Sequence, residues 1–565
     1  MRWMWTPVLL AIVTSGCAPD EGPSGVKTRD GDSSPAVFTD ITADLGLAEP
    51  RNWPDGTFAI LEIVGTGLAL FDHDDDGDLD LLVVRMPPPG KPEQPAPNVL
   101  YEQREDGRFV DVTAASGLGD PGWGQGVAIG DVDNDGDGDV YFTNYGPDSF
   151  YVSDGDGTFH DATDAAGLGD DAWSTGAAFC DYDRDGDLDL YVAHYIDYDP
   201  KAVCKDSSGM QDYCDPRNFD GVADTLYRNE GDGTFLNVTS AAGVVLPDPR
   251  KAKGLGVVCA DLTGDGFADV YVANDGEPNQ LWVNRGDGTF AEQGIMRGAG
   301  VNRDGVPTAS MGIAVGDIDG NHEIDLMVTN LRGENNTVFG PSGGGLFRDR
   351  TAEAGMAEHD LAWTGFGCGF FDYEHDGDLD LAVVNGRVYR DPVVEGARLS
   401  PFWNSYAEPN LLFENDGAGR FHPVPDRAGE LASRVDVHRG LAMGDIDRDG
   451  DIDLAISSID GSVRVYRNDA PAPGSHWVQV RALTGLRDAV GATVRVSAGG
   501  KSFTAPVVPS SSFLSQHDPR VHFGLGAAAG IESIEVSWPD GSKERFHAEG
   551  VDRVLEIRQG EGERL

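Results

Sequence analysis

The chain has 565 residues, enough for several domains, and sets 96 Asp and Glu against 42 Lys and Arg, a formal charge of −54. That balance excludes nucleic acid as a partner, because no basic stripe is available to meet phosphates. Past the first residues, no stretch is long and apolar enough to cross a bilayer as a helix.

Residues 1–17 hold one basic residue, Arg2, a short apolar run around Val8 to Val13, and then Thr14-Ser-Gly-Cys17. The run is too short to span and suits an export signal. Its small-small-Cys ending resembles a bacterial lipoprotein signal, which implies lipidation at Cys17 and anchoring to the envelope, at the outer membrane or cell surface. Residues 18–36 are Pro, Gly, Ser and charge, and read as a flexible tether.

From there a nine-residue acidic loop recurs seven times. Its positions 1, 3, 5, 7 and 9 are Asp72, Asp74, Asp76, Asp78 and Asp80 in the first copy, then Asp131, Asp133, Asp135, Asp137 and Asp139, then Asp181, Asp183, Asp185, Asp187 and Asp189. The fourth copy has Asp261, Thr263, Asp265, Phe267 and Asp269, and the fifth Asp317, Asp319, Asn321, Glu323 and Asp325. Asp372, Glu374, Asp376, Asp378 and Asp380 form the sixth, and Asp445, Asp447, Asp449, Asp451 and Asp453 the seventh. So many hard oxygens around one turn suit calcium, with side chains from positions 1, 3, 5 and 9 and the backbone carbonyl of position 7 as ligands. Between five and seven Ca²⁺ sites are expected. The fourth loop is weakened at Thr263, and the fifth, with His322 in place of the turn glycine, is the one expected to be emptiest.

An EF-hand shares the opening but needs a bidentate Glu at position 12 and flanking helices. Position 12 here is Val83, Phe142, Val192, Val272, Val328, Val383 and Ile456, all apolar. Alternating β-branched and aromatic residues follow each loop, and a small-residue run with Gly five positions ahead precedes it, so each loop is the tip of a β-hairpin. A third strand and a glycine turn such as Gly231-Asp-Gly233 lead to a fourth strand marked by Phe. Four strands per 50 to 80 residues suggest propeller blades. Phe38, Phe109, Phe159, Phe235, Phe290, Phe347 and Phe421 mark seven fourth strands, yet the first precedes every loop and none follows Asp445. Pairing the N-terminal strand with the last blade would close a seven-bladed ring and remove an open edge.

These loops resemble the FG-GAP/VCBS calcium-binding repeats, over residues 37–469. After the linker Asp469-Ala-Pro-Ala-Pro-Gly474, residues 470–565 read as a small β domain. Gly491-Ala-Thr-Val494, Ser512-Phe-Leu-Ser-Gln516, His522-Phe-Gly-Leu-Gly526 and Val536-Ser-Trp-Pro-Asp-Gly541 resemble the ASPIC/UnbV domain of the cartilage acidic protein family. That resemblance implies a secreted or surface calcium-binding protein and supplies no activity. The fold class is therefore all-β: a seven-bladed propeller with calcium-binding hairpin loops, then a small C-terminal β domain.

The face opposite the loops receives the insertions 86–97, 196–224 and 386–409. There Trp123, Trp173, Trp363, Tyr389 and Trp403 would form an aromatic rim for an extracellular glycan or surface protein. Cys204 and Cys214 are placed for a disulfide in an exported chain, while Cys180, Cys259 and Cys368 read as buried thiols. The leading reading is a surface-tethered recognition or adhesion protein without catalysis. The alternative is an exported calcium-dependent enzyme acting on polysaccharide, with Asp197, Asp199, Asp212, Asp215, His194 and Arg387 available on the insertion face. Neither an H-E-x-x-H zinc motif nor a Walker phosphate loop is present.

Overall fold

A computed structural model describes residues 35–47, 53–206 and 208–565. Cys17 and the expected signal and tether, apart from residues 35 and 36, lie outside the described residues. No helix among the described residues is long and apolar enough to cross a membrane.

Seven sheets carry the seven loops: six have four antiparallel strands, and the first adds Ser510–Ser511 and Ser515–Gln516 from the C-terminal region to its four. Their first strands are Leu68–Phe71, Gly124–Gly130, Ser174–Cys180, Gly254–Ala260, Ile313–Gly316, Gly365–Phe371 and His438–Gly444. Each packs against the first strand of the next sheet and the last against the first, so the sheets form a closed ring with first strands innermost. The seventh sheet takes its outer strand from the N-terminus: Phe38–Asp40 pairs with Val463–Asn468, Phe38 opposite Asn468.

The glycine five residues ahead of each loop sets the width of the hub. A Cβ on Gly176 would lie 2.5 Å from the Leu255 carbonyl oxygen, on Gly256 2.4 Å from that of Met311, and on Gly312 2.1 Å from that of Phe366. Neighbouring blades come too close there for any side chain. At the rim the fourth strands bury little beyond their phenylalanine: Phe235 is buried while Leu236 and Asn237 are exposed.

Cys180 and Cys259, expected as separate buried thiols, form a disulfide that staples the first strands of blades three and four. Ring curvature brings the two strand ends within 6.3 Å between Cα atoms, a proximity that a sequence separation of 79 does not reveal. Cys204 and Cys214 form a second disulfide, and Cys368 is free and buried.

Residues from His476 onward build two sheets around a core that includes Val478, Val480, Val494, Val496, Ile534 and Trp538. This unit is seated on the loop-bearing face of the ring, where Arg487 bonds Asn134 and the Gly186 carbonyl and Gln479 bonds Asp445, and residues 509–518 run from it into the central channel. Gln516 pairs in parallel with Ala69, Ser512 and Ile313 exchange backbone hydrogen bonds, and Phe513 meets Phe366 edge-on at 4.8 Å between centroids. The segment Ser512-Phe-Leu-Ser-Gln516, which carries part of the family resemblance, is thus the plug of the ring. Two of its residues, Ser512 and Leu514, sit at positive φ, a conformation the surrounding contacts impose.

Candidate metal centre and the two faces of the ring

All seven loops share one hydrogen-bonded frame. The position-1 carboxylate accepts from the backbone N–H of position 6, as in Gly136 to Asp131 at 2.9 Å, Gly266 to Asp261 at 2.8 Å and Gly377 to Asp372 at 2.8 Å. Position 5 accepts from position 7, as in Asp187 to Asp185 at 3.0 Å. Position 9 joins strands: Asp189 accepts from Tyr182 N–H at 3.1 Å and, with its other oxygen, from Asn229 N–H at 2.9 Å. His322 adopts φ 69° and its N–H bonds Asp317 at 2.9 Å, so the fifth loop keeps the shared frame despite its missing glycine.

With these bonds made, other carboxylate oxygens face one another. One oxygen each of Asp131, Asp133 and Asp139 lie within 4.8 Å of each other, as do those of Asp181, Asp183 and Asp189 and those of Asp317, Asp319 and Asp325. In the first loop Asp72, Asp74 and Asp76 converge likewise. The Oδ1 atoms of Asp72, Asp74, Asp181, Asp183, Asp319 and Asp445 and Oγ1 of Thr263 are buried without a hydrogen-bond partner. A buried carboxylate oxygen left unpaired is costly, and a hard cation at the convergence point removes that cost. The donor set therefore fits calcium.

Electrostatics agree. Burial, then repulsion from Asp75, pushes the Asp72 carboxyl up to about 6, and burial, then Asp376, pushes Asp372 up to about 8. Asp131, Asp181 and Asp445 rise to about 6, with burial again the largest cause. Two loops hold an arginine of the chain's own against their ligand acids: in the fifth, Arg350 Nη1 lies 2.6 Å from Asp319 Oδ2 and 3.3 Å from Asp325 Oδ1, and in the sixth, Arg427 Nη2 lies 3.0 Å from Glu374 Oε2.

A set of residues that the sequence reading passed over sits at the ends of the third strands. Asn229, Asn284, Asn415 and Asn468 each donate a side-chain N–H to the position-2 carbonyl of the preceding blade's loop: Val132, Tyr182, Ile318 and Tyr373, at 2.8 to 2.9 Å. Gln103 does the same to Ile446 at 2.9 Å. The signal was visible, since each Asn follows a short apolar strand and precedes a turn.

The insertion face is not the aromatic rim expected. Trp173 and Trp403 are 2% and 3% exposed and, with Tyr195, Tyr198, Tyr213 and Tyr406, form a core continuous with Phe513 and Leu514 of the plug. The insertions must bury their own apolar surface to fold, and these rings supply it. Trp123 and Trp363 are half-buried, and of the five aromatic residues expected on the rim Tyr389 alone is exposed, its hydroxyl 3.2 Å from Asp215. The exposed apolar groups of the insertions are Val203 and Met210 beside the Cys204–Cys214 disulfide, and Val393. Of the residues considered for catalysis, Asp212 is committed to Tyr406 and Arg390, His194 is buried against Asp170, and Arg387 is paired with Glu408. The sequence also contains one Gly-Pro-Ser-Gly-Gly run, 340–344, with the spacing of a nucleophile elbow. Ser342 follows the strand Thr337–Pro341 in the turn toward Phe347–Asp349, not between a strand and a helix, and its hydroxyl bonds the Leu346 carbonyl.

A ring of four-stranded sheets with acidic hairpin tips, capped on its loop face by a plug-bearing β domain, is the architecture of an FG-GAP-like repeat protein with an ASPIC and UnbV domain. Family models for the FG-GAP-like repeat match residues 72–142, 131–192, 217–272 and 261–328, and the model for ASPIC and UnbV matches 483–564. Its homologues include cartilage acidic protein 1 of Xenopus tropicalis, 25% identical over 368 residues, and of Mus musculus, 26% identical over 375. Those matches cover 62% and 54% of this chain and 43% and 54% of the relatives, so the chain spans about half the length of the relatives it matches. Among solved structures, an Agrocybe aegerita lectin described as recognising terminal N-acetylglucosamine aligns over 72% of this chain and 94% of its own, at 16% identity and TM-score 0.40. YCF48 bound to a D1 peptide aligns over 77% and 99%, at 9% identity and TM-score 0.38.

Proposed function

We propose that this chain is an exported, surface-tethered recognition protein whose loops bind calcium and whose insertion face engages a partner protein. The observation that carries the reading is the set of buried, unpartnered loop oxygens set on one face of the ring, a face that the C-terminal domain already covers. When bound, calcium supplies the positive charge that lets these carboxylates stay ionised at close range. Asp72, Asp131, Asp181, Asp261, Asp317, Asp372 and Asp445, with the acids at positions 3, 5 and 9, would hold it. The opposite face is left for contact, and there Val203, Met210, Val393 and Tyr389 present exposed apolar surface on a disulfide-braced scaffold, which suits a protein better than a sugar.

The test has two parts. Chelation of the full chain should lower its melting temperature, reversibly on calcium addition. The triple variant V203S/M210S/Y389A should melt with the native protein yet fail to be retained on cell-surface proteins that retain the native chain. Retention unchanged in the variant, or retention by glycans instead of protein, rejects the assignment of that face.

A further inference from the structure

The loops are wired to one another around the ring. Position 4 has positive φ in every loop: Asp75, Asn134, Arg184, Gly264, Gly320, His375 and Arg448. That left-handed residue turns its side chain away from its own loop toward position 7 of the next blade's. Asn134 donates to Asp187 at 2.8 Å, Arg448 to Asp78 at 3.0 Å, and His375 Nε2 lies 3.1 Å from Asp451. Arg184 stacks on Phe267, its Cζ 3.5 Å from the ring centroid, and bonds the Gly266 carbonyl. Asp75 is the exception: it faces Asp137, and two carboxylates repel instead of bonding. Position 7, whose side chain is not needed by its own ion, is the receiver for its neighbour.

The third-strand amides supply a second wire. The Asn229 N–H holds position 9 of its own loop while the side chain holds position 2 of the loop before, and Asn284, Asn415, Asn468 and Gln103 repeat this. Every neighbouring pair of loops has one or both wires except two: the first and second, where Ser153 opposite Phe159 takes the place of the amide and Asp75 meets only a carboxylate, and the fourth and fifth. In that second pair position 4 is Gly264, and the place taken by Asn284 opposite Phe290 is taken by Pro341 opposite Phe347. Proline has neither the N–H nor the amide, and Arg350 bonds Asp325 Oδ1 where a backbone N–H does so elsewhere.

We propose that the loops fill with calcium cooperatively, as two coupled arcs: the fifth, sixth, seventh and first loops in one, and the second, third and fourth in the other. The inference rests on the calcium reading above and concerns the residues between sites. Ordering one loop fixes the receiver that the preceding loop's position 4 requires and the carbonyl that the following blade's amide requires. Each ion thereby reduces the ordering that the next must impose, which is positive coupling without movement of the ring.

Calorimetric calcium titration of the metal-free full-length chain tests this. The native chain should bind with a Hill coefficient above 1. Arg448→Gly, which removes one wire and no ligand, should lower that coefficient at unchanged stoichiometry; loss of a positive charge alone would strengthen binding without flattening the curve. Gly264→Asn gains an amide facing Glu323 of the fifth loop; nothing lies within 4 Å of a Cβ there and Asn tolerates positive φ, so it should steepen the curve and tighten the fourth and fifth sites about fivefold. Should Arg448→Gly fail to fold, Gly264→Asn still decides. Identical curves for native and variant chains overturn the coupling while sparing the calcium sites. No calcium uptake by the native chain overturns both.

Discussion

Gln516 uses both ends of its side-chain amide on the backbone of Ile129, accepting from its N–H at 2.7 Å and donating to its carbonyl at 3.0 Å. It completes, from the C-terminal domain, the inner edge of blade two. Gln516→Leu keeps the volume and leaves two buried backbone groups unpaired, so chemical unfolding should show a loss of about 2–4 kcal/mol. A loss below about 0.5 kcal/mol would mean that the plug does not brace the channel.

The hub glycines predict a steep penalty at one place and none at another. Gly312→Ala would drive a methyl into the Phe366 carbonyl, a backbone atom that cannot step aside, and should destabilise by about 3 kcal/mol or more. Gly530→Ala, with open space around its Cβ, should melt within a degree or two of the native chain. Equal melting of the two variants would contradict the hub packing.

Removing the disulfide between blades three and four should be more damaging than its buried position suggests. Cys180 and Cys259 are 79 residues apart, and releasing so long a loop in the unfolded chain corresponds to about 4 kcal/mol. Cys180→Ser paired with Cys259→Ser should lower the denaturant midpoint accordingly, and mass spectrometry of the native chain before and after reduction should show the bond directly.

A buried ion pair gives stability a defined dependence on pH. Burial opposes charge on His194, yet Asp170, 3.4 Å from Nε2, outweighs it and pushes His194 up to about 9. Asp170 is held down to about 2 by the same partner, again against burial. The His194 contribution is present in full below its unfolded pKa near 6.5 and is lost as pH rises through about 9; that of Asp170 is present above about 4 and lost as pH falls through about 2. His194→Gln should therefore lose about 2–3 kcal/mol at pH 6 and much less at pH 10. A difference between native and variant that stays constant over that range would show that the pair is not charged.

Much of this molecule could be read before folding because its information is periodic. The nine-residue loops name the hairpins, the apolar residue at position 12 removes the EF-hand, and the displaced Phe38 places the seam of the ring. What escaped reading depends on curvature and on contacts between distant segments. Nothing near Cys180 or Cys259 announces that adjacent blades bring them together. Trp173 and Trp403 look the same in a linear string whether they line a rim or fill a core, and only the convergence of residues 53–64 with the insertions 196–224 and 386–409 decides it. The docking of the C-terminal domain was hidden for a similar reason, since Ser512 to Gln516 pairs with strands separated from it by as many as 447 residues.

The seam itself has a mechanical consequence. Phe38–Asp40 holds the last blade through three residues, steadied by Val37, whose N–H bonds the Arg427 carbonyl and whose carbonyl accepts from Asp469 N–H. Tension applied through the residues upstream of Val37 would therefore load this seam before the hub, and peeling it would strip blade seven of its outer strand while the first strands stay packed in a closed circle.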